Sequence, residues 1–269
     1  MLSCLSALCA LAGVALGWWV SRRRGSYWVI GFAIPFLLLL LYALAFHFPP
    51  ILFLPPFSWM MLGIRKFAFF GFICALLLSI PLFRTPKKSN RLLIGCLMIV
   101  AIFFAAIWPF IAPMLQRGEL SHLQTKIDSD GICLQSTVYT CGPAAAVTGL
   151  RKLGFAAEEG QVAILSCTSD LEGTPVDMLA EALRREYGKD GLTAECRCFK
   201  SVSELKGMGL VLALTKYGLL EDHWLVIFDV TENEVIVGDP LSGLVRLSHE
   251  EFSRRWRFIG IVLRRDSRI

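Results

Sequence analysis

The chain shows two hydrophobic patterns in succession. Up to about Leu115, polar positions are nearly absent over long stretches. Four apolar runs stand out there: Leu2 to Val20, Tyr27 to Phe48, Phe57 or Phe67 to Phe83, and Leu92 to Leu115. Each approaches the ~20 residues a helix needs to cross the hydrocarbon layer of a bilayer. The third run has two candidate starts, because Arg65 and Lys66 interrupt it. The four prolines of the preceding FHFPPILFLPPF favour an interfacial or re-entrant connection.

From about Gly118 the pattern breaks into short alternating elements with turn signals, which suits one compact domain. A helix is predicted from Gly142 to Leu153, with Pro143 in its first turn and Gly154 beyond its last apolar position. A second, short helix covers Glu158 to Ser166. In GTPVDMLAEALRREYG, Thr174 reads as an N-cap, Asp177 completes a box-like pair, and Gly188 ends the helix. After Gly191 the period falls to two or gives way to a continuous apolar run, predicting strands at Leu192 to Phe199, Leu210 to Thr215, His223 to Val230, Val235 to Val237, Leu244 to Leu247 and Phe258 to Leu263. Short helices with S-x-x-E boxes interrupt them at Ser201 and Ser248. Helices first and a mostly antiparallel sheet afterwards define an α+β layout. The predicted division is a transmembrane region over 1–117 and a catalytic-type domain over 118–269.

Composition sharpens this division. The 269 residues are 55% hydrophobic and only 18% charged, too apolar for an ordinary soluble chain. No acid precedes Glu119, so all 22 Asp and Glu lie in the second half. The basic residues of the first half sit in short clusters between apolar runs. Three fall in Ser21-Arg22-Arg23-Arg24-Gly25 and four in RTPKKSNR from Arg84 to Arg91, against two in the middle loop. The positive-inside rule makes the two richer loops cytoplasmic and puts the C-terminal domain on the opposite side. The first run lacks a basic segment ahead of it, which favours an uncleaved anchor over a signal peptide. With its cations patterned as topology signals, the chain is not expected to bind nucleic acid.

Four polar positions in the second half suggest chemistry. Cys141 opens the predicted helix in LQSTVYTCGPAAAVTGL, where unpaired N–H groups and the helix dipole favour a thiolate. His223 opens the strand HWLVIFDV and can serve as a base. Asp239 ends the next strand in VIVGDPLSG, and a hairpin between the two strands would let it orient His223. Asp222 and Asp229 are rival partners for that histidine. The Gln135 side-chain amide, six residues before the cysteine, can donate to an oxyanion. Each of these residues also has an ordinary structural explanation, and it is the set that points to a site. Cys133, Cys167, Cys196 and Cys198 accompany Cys141, with Cys196 and Cys198 expected on opposite strand faces. With no CxxC pair and scattered histidines, neither a metal nor another cofactor is expected.

Gln135-x5-Cys141-Gly142-Pro143-Ala144, His223-Trp224-Leu225-Val226-Ile227 and Gly238-Asp239-Pro240 together resemble the bacteriocin-processing cysteine peptidases, peptidase family C39. The similarity runs from about Ile132 to Leu263 and takes in GTPVDMLAEAL and EEFSRRW. It implies a papain-like cysteine peptidase fold with Cys141 as nucleophile, His223 as base and acid, Asp239 as orienting partner and Gln135 as oxyanion donor. A peptide or protein substrate follows from the same resemblance, and the bilayer is the other expected partner. In place of the exporter ATPase of such relatives, no GxxxxGK[ST] phosphate loop occurs in this sequence. A non-hydrolytic peptide-binding module, or an accessory subunit of a separately encoded exporter, is the alternative function.

Overall fold

The computed structural model describes residues 2–25, 27–47, 66–218 and 221–266. The chain divides into two compact units, Met1–Ala112 and Pro113–Ile269.

The first unit holds α1 (Leu2–Ser21), α2 (Tyr27–His47), α3 (Lys66–Arg84) and α4 (Lys88–Ile102). A π-helical turn, Phe103–Ile107, continues α4 into α5 (Trp108–Leu115). That turn lies just ahead of Pro109, whose missing N–H interrupts the ordinary helical ladder. By length and composition three helices can cross a membrane, over Tyr27–Leu44, Lys66–Arg84 and Lys88–Ser121. The first of the four expected runs appears as a shorter apolar helix, Ser6–Ser21. The third begins at Lys66, matching the later of its two candidate starts; Phe57 and residues 48–57 of the proline-rich connection lie outside the described residues.

α1 and α3 run parallel, and small residues let them approach. A Cβ on Gly13 would lie 2.6 Å from the Phe72 carbonyl oxygen, and one on Gly17 would overlap the Ser79 hydroxyl. Small residues of this kind let two apolar helices pack backbone to backbone. Ser21 and Arg84 close the same end, with Arg84 Nη1 donating to the Ser21 carbonyl at 2.9 Å and its guanidinium 4.8 Å from the Trp28 ring centre.

The second unit opens with α6 (Arg117–Ser121) and a small antiparallel pair, β1 (Lys126–Ile127) and β2 (Cys133–Leu134). Then come α7 (Cys141–Lys152), α8 (Glu159–Leu165) and α9 (Val176–Tyr187). The remainder is a six-stranded sheet of β3 (Leu192–Cys198), β4 (Leu210–Lys216), β5 (Asp222–Val230), β6 (Glu234–Asp239), β7 (Gly243–Ser248) and β8 (Trp256–Arg265), with α10 (His249–Arg255) between the last two. The strand order is β3-β8-β4-β5-β6-β7, and every neighbouring pair is antiparallel. Helices ahead of an antiparallel sheet make this an α+β fold.

Both sheet faces are covered. Leu212, Trp224, Val226 and Ile261 pack with Ala145, Leu150 and Leu183, from α7 and α9. Val211, Leu225, Ile227 and Val262 pack on the opposite side with Phe252 and Trp256. A strand buried on two faces carries a continuous apolar run, which is why HWLVIFDV lacks polar alternation.

Two local expectations need correction. Thr174 does not cap α9: Pro175 holds the N-cap position, and the Thr174 hydroxyl meets Thr168 Oγ1 at 2.8 Å. Gly188 ends the α-helix as expected, as the C-cap after Tyr187, and a 3-10 turn over Gly188–Asp190 leads to left-handed Gly191. At Ser201 a 3-10 turn forms without a side-chain cap, and the Ser201 hydroxyl meets Ser203 Oγ instead. The Ser248 box forms as expected, its Oγ accepting from the Glu251 N–H at 3.2 Å.

Candidate active site

Cys141 is the first residue of α7, and the site is built around that helix start. Gly142 lets the loop before α9 press against it, since a Cβ there would come within 2.6 Å of Thr174 Cβ. The loop is held from the other side by the Trp224 indole, which donates to the Thr174 carbonyl at 3.1 Å. Ser166, Thr168 and Thr174 form a buried chain of hydroxyls behind it. The residue next to His223 thus fixes the loop that packs on the residue next to Cys141.

β5 and β6 bring the histidine and the aspartate together. Val226 pairs with Gly238, which sets Asp239 beside the N-terminal half of β5. His223 Nε2 and Asp239 Oδ1 are 2.7 Å apart, with His223 buried and Asp239 nearly so. The Cys141 side chain lies beside the same ring, close enough to act on its charge. Tyr217 lies against the imidazole at 5.5 Å between ring centres. Of the rival carboxylates, Asp222 Oδ1 accepts from Arg257 Nε at 2.8 Å, and Asp229 Oδ1 accepts from the Val230 N–H.

The electrostatics follow from these contacts. Burial disfavours a charged imidazole, but donation to Asp239 and the nearness of Cys141, with the negative charges of both, overrule it and raise His223 from 6.5 to about 9. Burial likewise disfavours the Asp239 carboxylate. Hydrogen bonds from the His223 ring and the Leu241 N–H, the histidine's charge and the Ser242 side chain prevail, and hold it below its ordinary value.

Gln135 lies in the loop between β2 and α7. Its backbone N–H donates to the Pro240 carbonyl at 2.9 Å, one residue past Asp239. Its Nε2 donates to the Thr137 carbonyl at 2.8 Å, leaving the second N–H of that nitrogen available, while Oε1 is buried and unpartnered. Exchanging the two amide atoms would set Oε1 against the Thr137 oxygen, two acceptors face to face. Thr140 stabilises the same loop, its buried hydroxyl accepting from the Thr137 N–H at 3.1 Å.

One strongly placed residue escaped the sequence reading. Glu159 is completely buried and bonded to Ser136, next to Gln135. An acid in a helix's first turn reads as an ordinary dipole partner, so nothing in the sequence singled it out. The cysteine reading also needs correcting. Residues two apart on a strand share a face, so Cys196 and Cys198 lie on the same side of β3 as Leu192 and Ala194. Cys9, Cys74, Cys96, Cys133, Cys141, Cys167, Cys196 and Cys198 are free, and among the described residues no three His, Cys, Asp or Glu cluster as a metal site.

An α+β domain with a cysteine at a helix start, beside a strand histidine that an aspartate holds, has the layout of a thiol hydrolase. The profile of the Peptidase C39 family matches residues 130–268, and the chain belongs to that family of cysteine peptidases. It is 30% identical over 136 residues to an uncharacterized protein of Methanothermobacter thermautotrophicus, covering 51% of this chain and 89% of the relative. A second uncharacterized protein, from Methanothermobacter marburgensis, is 26% identical over 148 residues, covering 55% of this chain and 98% of its own length. Among solved structures, the peptidase domain of Streptococcus ComA is similar at 21% identity and a TM-score of 0.43, covering 49% of this chain and 96% of that one.

Proposed function

We propose that this chain is a membrane-anchored cysteine peptidase whose catalytic residues are Cys141, His223, Asp239 and Gln135. The observation that carries the reading is His223, hydrogen-bonded to Asp239 at 2.7 Å and lying beside Cys141. Cys141 Sγ attacks the scissile carbonyl carbon, forming a C–S bond and an oxyanion. The Gln135 amide and the Cys141 backbone N–H donate to that oxyanion. Protonated His223 passes its proton to the departing amine as the C–N bond breaks, leaving a thioester. Water then gives a proton to His223 and adds to the thioester. Breakage of the C–S bond releases the acid, and Cys141 and His223 regain their starting state. Asp239 keeps the ring oriented and favours its charged form throughout.

The membrane part of the proposal divides the chain near residue 117. Parallel α1 and α3 put the Arg22-Arg23-Arg24 turn and the Arg84 to Arg91 loop at one end of their unit, supporting a shared cytoplasmic side. The peptidase domain then faces away from the cytoplasm, and its substrate is a peptide or protein at that face.

The test is hydrolysis of a broad peptide library by the detergent-solubilised full chain. Wild type is expected to cleave and Cys141→Ala to be silent. Peptide binding and biological activity kept intact in Cys141→Ala, with no cleavage by either form, would establish the non-hydrolytic module instead.

A further inference from the structure

Glu159 is a carboxylate with no exposed surface, and no basic side chain hydrogen-bonds it among the described residues. Its two oxygens go to one neighbour. Oε1 accepts from the Ser136 N–H at 2.8 Å, and Oε2 stands 2.6 Å from Ser136 Oγ, within the range of a charge-assisted O–H···O bond. Its own N–H donates to Thr125 Oγ1 at 2.8 Å, which fixes the start of α8. Burying a carboxylate costs several kcal/mol unless its partners recover it, so the arrangement is a poor way to gain stability alone. It is a good way to fix one residue, because both donors of Ser136 are held from the same direction.

The fixed residue is the one beside Gln135. On its other side Gln135 is held through its N–H to Pro240, next to Asp239. The Gln135 backbone is therefore clamped between Pro240, next to the base's partner, and Ser136, held by Glu159, and the buried Oε1 of its side chain is left without a hydrogen-bond partner. An unpartnered buried amide oxygen is a cost that a rigid clamp can impose and a relaxed loop would avoid.

We infer that Glu159 is a positioning residue for the oxyanion donor, acting through Ser136 on Gln135 and not on the nucleophile or the base. The inference rests on the peptidase reading above. Removing one oxyanion donor costs about 100- to 1,000-fold in kcat, so a loosened Gln135 should lose part of that range. The effect should fall on kcat, because the donor is needed only when charge develops on the substrate oxygen.

The experiment is a double-mutant cycle on the full chain, with peptide hydrolysis and iodoacetamide alkylation of Cys141 both measured. Alkylation at a saturated carbon develops no oxyanion, so it reports Cys141 and His223 without Gln135. Glu159→Ala is expected to lower kcat by at least about tenfold, with KM and the Cys141 alkylation rate within about twofold of wild type. In a Gln135→Ala background it should lower kcat no further. Glu159→Gln retains an acceptor for the Ser136 N–H and decides the matter if the alanine variant does not fold; its smaller loss should also vanish without Gln135. Losses that add in full to those of Gln135→Ala, or alkylation that slows in step with hydrolysis, would overturn the inference while leaving the peptidase reading intact. A wild-type chain that hydrolyses nothing would remove that reading and this inference with it.

Discussion

His223 Nε2 and Asp239 Oδ1 meet at 2.7 Å across adjacent strands, sixteen residues apart in the chain. The hairpin of β5 and β6 delivers both to one end of the sheet, and the Thr215 hydroxyl donates to the His223 carbonyl at 3.0 Å from the strand on the other side. Asp239→Asn should keep the fold but remove the charge that stabilises the imidazolium. A fall in kcat of about 100-fold or more is expected in steady-state hydrolysis, with KM little changed.

The same pair sets a pH dependence of stability. His223 titrates near 9 in the folded chain against 6.5 when unfolded, so its contribution is fully present below about pH 6.5 and lost as the pH rises through about 9. The difference is on the order of 3 kcal/mol at most. Asp239, lowered on folding, contributes above its unfolded value near 3.8 and loses that contribution as the pH falls below it. Thermal melts of the solubilised chain between pH 6 and 9.5 should therefore show a decline, and His223→Gln should flatten it. An equal decline in that variant would assign the effect to other groups.

Gln135→Ala should lower kcat by about 100- to 1,000-fold while Cys141 alkylation proceeds at the wild-type rate. The two readouts separate a lost donor from a collapsed site.

Gly142→Ala tests the packing behind the nucleophile. The added methyl meets Thr174, whose hydroxyl and carbonyl are both engaged, so the loop cannot retreat freely. A loss of about 1–3 kcal/mol is expected in thermal or denaturant unfolding. Pairing it with Thr174→Ser, which keeps the closer Cβ and Oγ1 and deletes only Cγ2, should recover little of that loss.

Much of this architecture was legible because its signals are local. Apolar run length marks the helices of the first unit, and Pro143 and Gly154 bracket α7. Period-two or continuously apolar runs and the turn at Asp239-Pro240 mark the strands, and all six form within a few residues of expectation. The pairing of His223 with Asp239 was inferable because a hairpin is the shortest way to join consecutive strands. What stayed hidden depends on contacts between distant segments. Thr174 looks like a cap in sequence, but Thr168 and Trp224 recruit it to the loop behind Cys141. Gly13 and Gly17 are two more small residues in an apolar run until α3 lies against them. Glu159 has no local signature, since its role is defined by a serine 23 residues earlier.

The most direct measurement of the central claim is a search for the acyl-enzyme. The full chain is mixed with a peptide it cleaves, quenched in acid within the first turnovers, digested, and analysed by mass spectrometry for a thioester. The adduct should map to Cys141 and be absent in Cys141→Ala and from Cys133, Cys167, Cys196 and Cys198. Continued cleavage by Cys141→Ala, or an adduct on another residue, would contradict the account.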